Sequence, residues 1–157
     1  MVWGCMTWAG VGKVAKIVGR MDAVQYCQIL ATSLTPTMDA CALLPGFPPP
    51  RDQLVFQQDN DPKHRSKLAT SWFREAGVMP MPWPAQSPDL NPIEHLWQQL
   101  KTRIGSYPVP ARGIHELWER VEKEWEKISV ETCQRLIESM PRRIEAVIKA
   151  KGGHIKY

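Results

Sequence analysis

The chain has 157 residues, 43% apolar and 23% charged, with a net charge of +4 and a pI of about 9.0. A chain of this length makes one domain that buries roughly 68–70% of its unfolded surface, and the composition excludes disorder. No apolar run approaches the ~18 residues of a membrane span, and the mild basic tilt favours polyanionic partners without naming one.

Residues 2–8 and 13–18 read as two short strands rich in Val, Trp and Ile, and the AGVG segment at 9–12 predicts a hairpin turn. The opening MVWGCMTWAGVGKVAKIVGR has the hydropathy of a signal peptide, but Lys13 and Lys16 follow its apolar stretch instead of preceding it, so it reads as folded structure. Asp22 stands at a helix N-cap, with Tyr26, Ile29 and Leu30 at helical spacing behind it. Asp39 falls in the loop expected after that helix. LPGFPPPRDQ, at 44–53, is a proline-rich loop from which Pro48, Pro49 and Pro50 exclude helix.

Residues 54–58 read as a short buried strand ending at Asp59. Asp61-Pro62 predicts an N-cap followed by proline at the first helical position. The helix it opens carries Leu68, Ala69, Trp72, Phe73 and Ala76 as its apolar stripe and stops at Gly77. The prolines of VMPMPWPAQSP, at 78–88, limit that segment to a short or edge strand and a loop. Asn91-Pro92-Ile93-Glu94 opens a further helix with Ile93, Leu96, Trp97, Leu100 and Ile104 on one face. Another follows, with Ile114, Leu117, Trp118, Val121 and Trp125 on its stripe, and residues 129–151 are helical with a bend or break at Pro141. Strands and helices intermix, which makes the class α/β or α+β with a helical C-terminal end.

Four cysteines (Cys5, Cys27, Cys41, Cys133) form no C-x-x-C pair, so they read as reduced, partly buried thiols of an intracellular protein. The carboxylates carry the sharper signal. Asp59 at a strand end and Glu94 in a helix's first turn, with 34 residues between them, are the kind of acids that converge above a sheet to hold divalent cations. Capping explains much of the same pattern: Glu94 fits the third position of a capping box on Asn91, Asp61 fits an N-cap, and His64 a first-turn residue beside it.

FQQDNDPKH at 56–64 and WPAQSPDLNPIEHLW at 83–97 resemble the second and third acids of a DDE transposase of the mariner superfamily, in its nematode-type branch with 34 residues between aspartate and glutamate. The resemblance extends through VWGCMTWAGVGKV before them and SMPRRIEAVIKAKGGHIKY after, so it covers essentially the whole chain. It implies an α/β, RNase H-like core that cuts and joins DNA with two Mg2+ (or Mn2+) ions. Asp59 and Glu94 would be the second and third metal ligands, and Gln58, Asn60 and His64 supporting residues that orient a ligand. Asp61 keeps its capping role.

The family's first catalytic aspartate lies on a strand upstream of the segment matching Val2-Trp3-Gly4, and neither Asp22 nor Asp39 stands in for it. The expectation is therefore a catalytic domain over 1–157, N-terminally truncated, with an RNase H-like core lacking its first strand at about 1–105 and C-terminal helices at 106–157. The family's N-terminal helix-turn-helix domains are likewise expected to be missing. Two acids in place of three should cut activity by orders of magnitude or abolish it. A missing central strand should leave the chain marginally stable and prone to associate, and a sharp reversible melt of a clean monomer would contradict that.

Arg142, Arg143, Lys149 and Lys151 accompany Ile144, Val147 and Ile148 in the last helix. They read either as a DNA phosphate-contacting face or as the solvated side of an ordinary amphipathic helix. The leading function is a transposase or integrase catalytic domain acting on DNA at transposon ends in the nucleus, with a second copy or a full-length transposase as protein partner and neither membrane nor small-molecule substrate. The alternative is a non-catalytic transposon-derived remnant that binds DNA or a transposase. A different RNase H-like nuclease is a more distant third.

Overall fold

A computed structural model describes residues 1–45 and 50–153. The chain divides into two units, one of Met1–Gly4 and Ala15–Gln86, the other of Cys5–Val14 and Ser87–Tyr157. Strands β1 (Val2–Thr7) and β2 (Gly10–Lys16) form the expected hairpin, and each contributes residues to both units. The turn is tighter than the sequence implied, because the Thr7 side chain pins it. Its Oγ1 accepts from Ala9 N at 3.1 Å and donates to the Gly10 carbonyl at 3.3 Å. Gly10 enters β2 at φ +121°, where a side chain is strained, and a Cβ there would stand 3.3 Å from Val130 Cγ2.

In the first unit, α1 (Ala23–Ile29) starts as expected, with Asp22 Oδ1 accepting from Gln25 N at 2.8 Å. The helical path then runs on through a π-helical turn, Leu30–Leu34, into α2 (Thr35–Ala42). Pro36 supplies no N–H for the usual ladder, and just before it Thr35 N–H reaches back five residues to the Leu30 carbonyl. Asp39 therefore lies in a helix and not in a loop, and it pairs with Arg51 Nε at 2.5 Å. Pro48 and Pro49 lie outside the described residues; Pro50 leads into a 3-10 turn, Arg51–Gln53.

Strand β3 is only Val55–Phe56, followed by α3 (Lys67–Glu75) and β4 (Met79–Pro80), which pairs with β3 in parallel. The register sets Val55 against Met79 and Phe56 against Pro80, with Met81 N donating to the Phe56 carbonyl at 2.7 Å. Because backbone groups alternate along a strand, the missing N–H of Pro80 faces away from β3 and costs no ladder bond. The expected buried strand at 54–58 is shorter and more open than its composition implied. Val55 is 52% exposed, and among the described residues β3 has a neighbour on one edge only. Helix α3 starts at Ser66, whose Oγ accepts from Ala69 N at 3.1 Å, five residues past the predicted cap at Asp61. Gly77, at φ +61°, ends it as expected. Packing of α1 on α3 builds this unit's core from Tyr26, Cys27, Leu30, Ala69 and Phe73.

The second unit contains a 3-10 turn, Pro88–Leu90, then α4 (Ile93–Gly105), α5 (Ile114–Glu126), α6 (Val130–Glu138) and α7 (Met140–Lys149). Helix α4 has Pro92 at its cap, one residue later than the predicted capping box required, which puts Glu94 at its second position. Trp125 is the centre of the unit: buried, it stacks on Trp97 at 4.8 Å and donates Nε1–H to the Gly12 carbonyl at 2.8 Å. Glu124, also buried, accepts from Tyr107 Oη at 2.9 Å and from Lys127 Nζ at 2.6 Å. The tail breaks at Ser139, two residues before the predicted site, and Pro141 falls in the first turn of α7, where a missing N–H costs nothing. All four cysteines are buried and none forms a disulfide. Among the described residues no helix is long and apolar enough to cross a membrane.

Candidate active site

Three residues past the end of β3, the chain turns at Asp59. Its Oδ1 accepts from Asp61 N at 3.1 Å and meets His64 Nδ1 at 2.6 Å. The carboxylate can only accept, so Nδ1 carries the proton. Both contacts fall on Oδ1, and the side chain is 62% exposed, which leaves Oδ2 facing solvent with its lone pairs available. Asp61 then builds the turn that brings His64 back: its Oδ1 accepts from Lys63 N at 3.0 Å, and its carbonyl accepts from His64 N at 2.9 Å. It is a turn cap, not the cap of α3. Burial pushes the Asp61 carboxyl up, but hydrogen bonds from the Lys63 side chain and backbone, with the Lys63 and His64 charges, outweigh it and hold the group below its ordinary value.

Gln58 and Asn60, on either side of Asp59, are each tied down from a different element. Asn60 Nδ2 donates to the Trp83 carbonyl at 2.6 Å. The Gln58 amide oxygen accepts from the Tyr26 hydroxyl, and the Tyr26 ring lies 4.2 Å from the His64 imidazole at a 30° tilt. Tyr26 is completely buried on α1. Burial, then the charges of Asp59, Cys27 and Asp61, push its ionisation far above the ordinary phenol value, so it stays a donor at any physiological pH. One tyrosine thus supports both the residue before Asp59 and the histidine bonded to it. Helical spacing alone puts Tyr26 on an apolar stripe; the signal for a further role is that a buried phenol needs a polar partner. The second ring nitrogen, His64 Nε2, is buried without a partner among the described residues.

Glu94 lies in the second unit, exposed in the first turn of α4, with its N–H bonded to the Asn91 carbonyl at 3.2 Å. A carboxylate there is favoured by the helix N-terminus. Among the described residues no three acidic, histidine or cysteine side chains gather as a metal cluster. The basic tail separates into two kinds of residue. Arg142, Lys149 and Lys151 are exposed, whereas Arg143 is 1% exposed and off the solvated face. Its guanidinium reaches inward to Ser139, Asp89 and His95, so it cannot meet a phosphate from solvent.

The profile of the DDE superfamily endonucleases matches residues 4–111. Over all 157 residues the chain is 43% identical to the transposable element Tcb1 transposase of Caenorhabditis briggsae, and equally to the transposable element Tc1 transposase of Caenorhabditis elegans. It spans about half (54%) the length of each. Among solved structures, the Mos1 transposase catalytic domain with raltegravir and Mn superposes at a TM-score of 0.84 and 19% identity, over 99% of this chain and 76% of that one. Mos1 transposase in a paired-end complex with the left transposon end gives a TM-score of 0.80 and 18% identity, over 99% and 44%. The fold is therefore that of the RNase H-like DDE catalytic domain, with a helical C-terminal part.

Proposed function

Because the chain belongs to the DDE superfamily endonucleases, we propose that it forms part of a transposase catalytic domain that cleaves and transfers DNA strands at transposon ends. The observation that carries the reading is Asp59. It sits in the motif matching the family's second acid, one oxygen fixed by His64 Nδ1 and Asp61 N and the other turned to solvent. That donor suits a hard cation such as Mg2+ or Mn2+, which takes a few carboxylate oxygens and completes its shell with water. Asp59 and Glu94 would hold such ions, which when bound activate an attacking oxygen and stabilise the leaving one.

The protein's own residues prepare that site. His64 orients Asp59 through one oxygen and leaves the other open; Tyr26 holds His64 and Gln58; Asn60 fastens the far side of the turn to the Trp83 carbonyl. Arg142, Lys149 and Lys151 would contribute sequence-tolerant, salt-sensitive contacts to DNA phosphates. The DNA complex of Mos1 transposase supports DNA as the partner, and a DNA substrate makes the nucleus the place of action. A second copy of the chain is the protein partner that paired transposon ends would call for.

The test is nicking of supercoiled plasmid in Mn2+ by this chain and by its Asp59→Asn and Glu94→Gln forms. Catalysis by this chain requires nicking by the wild type, at the much reduced rate that two acids allow, that both substitutions and chelation abolish. Equal activity, or none in any form, refutes catalysis by this chain and leaves a DNA-binding role.

A further inference from the structure

Helix α7 buries Arg143 and leaves Ile144 and Ile148 exposed, the reverse of what its composition favours. A buried guanidinium is costly unless its donors are used, and Arg143 uses them. Nε donates to Ser139 Oγ at 2.8 Å, Nη1 donates to the Asp89 carbonyl at 2.9 Å, and Nη2 lies 3.3 Å from His95 Nδ1. Ser139 is the junction between α6 and α7. Asp89 and His95 flank Glu94: one lies in the 3-10 turn before α4, and the other is the next residue on α4 itself. Prolines 88 and 92 remove two backbone donors from this entry into the helix, so a side chain is well placed to hold it. Lysine, with one nitrogen, cannot replace a planar fork that serves three groups.

We infer that Arg143 is a positioning residue for Glu94: it clamps α7 to both sides of the helix start that carries the carboxylate. The C-terminal helix then sets where Glu94 stands, and the RR pair of the SMPRRI motif divides its work, Arg142 outward and Arg143 inward. The inference rests on the reading of Glu94 as a cation ligand.

The experiment titrates free Mn2+ by electron paramagnetic resonance against the wild type, Glu94→Gln, Arg143→Lys and Arg142→Gln, with duplex-DNA affinity and thermal melting measured on each. Glu94→Gln should weaken Mn2+ binding. Arg143→Lys should weaken it about tenfold or more, the usual effect of losing a ligand's orienting partner, with DNA affinity unchanged; Arg142→Gln should show the opposite split. If Glu94→Gln matters and Arg143→Lys leaves Mn2+ affinity at the wild-type value, the clamp is refuted while Glu94 stands. If Glu94→Gln changes nothing, the reading of Glu94 fails and takes the inference with it. Should Arg143→Lys not fold, His95→Ala decides. It removes one arm of the clamp and keeps Arg143, so weaker Mn2+ binding supports the inference and unchanged binding overturns it.

Discussion

Tyr26→Phe isolates one hydroxyl. The phenyl ring can keep its place 4.2 Å from His64 and its full burial, so the perturbation is confined to the bond donated to Gln58. A typical intramolecular hydrogen bond contributes about 0.5–1.5 kcal/mol net, and a stranded buried acceptor costs about 1–3 kcal/mol. Gln58 is only half-buried, so water can replace part of the bond, which places the expected loss near 1 kcal/mol. For a chain of this size that lowers the melting temperature by about 2–4 °C. Tyr26→Leu should cost clearly more, because the ring contact, worth about 0.5–1.5 kcal/mol beyond its area, goes with the hydroxyl. Urea denaturation followed by circular dichroism measures both. If Tyr26→Phe is as stable as the wild type, the hydroxyl contributes no more than its desolvation cost, and the account of Tyr26 as the support of Gln58 fails. Equal losses in the two variants would sink the claim that the ring supports His64.

Ser66→Ala should cost about 1 kcal/mol by removing the N-cap of α3, with helix content reduced. Asp61→Ala should loosen the turn to His64 yet spare α3, and equal loss of helix in both would restore Asp61 as the cap. Hydrogen bonds from Lys127 and then Tyr107 hold the Glu124 carboxyl below the ordinary 4.5. Its contribution to stability is therefore complete above that value and lost as pH falls through the lower folded value. Melting temperatures taken from pH 7 to pH 3 should drop less steeply in Glu124→Gln than in the wild type, and parallel curves would refute the linkage. Trp125→Phe should cost about 2 kcal/mol, since it strands the Gly12 carbonyl and shrinks the stack on Trp97. A change under about 0.5 kcal/mol would show that Trp125 is not the anchor of its unit.

Local chemistry was legible in the sequence wherever the deciding atoms were neighbours in the chain. The hairpin, the Asp22 cap, the stop at Gly77 and the amphipathic runs of α3, α4 and α5 all follow from contacts a few residues apart. The turn that follows Asp59 is just as local, closed by Asp61 and His64 within five residues. Errors of extent, such as the two-residue β3 and the later start of α3, came where two local signals competed. Asp61 can cap a helix or a turn, and only the Ser66 bond to Ala69 settles which.

Tertiary structure decided what local pattern leaves open: which element lies opposite a given face. The last helix shows it most clearly, since periodicity would bury Ile144 and Ile148 and solvate Arg143, and the structure does the reverse. Arg143 finds its acceptors 54 and 48 residues away, at Asp89 and His95, and those bonds offset the cost of taking its charge out of water. Tyr26 likewise becomes part of the site only through Gln58, 32 residues away. Burial depends on partners brought together by folding, and a pattern with a period of 3.6 residues carries no information about partners that distant.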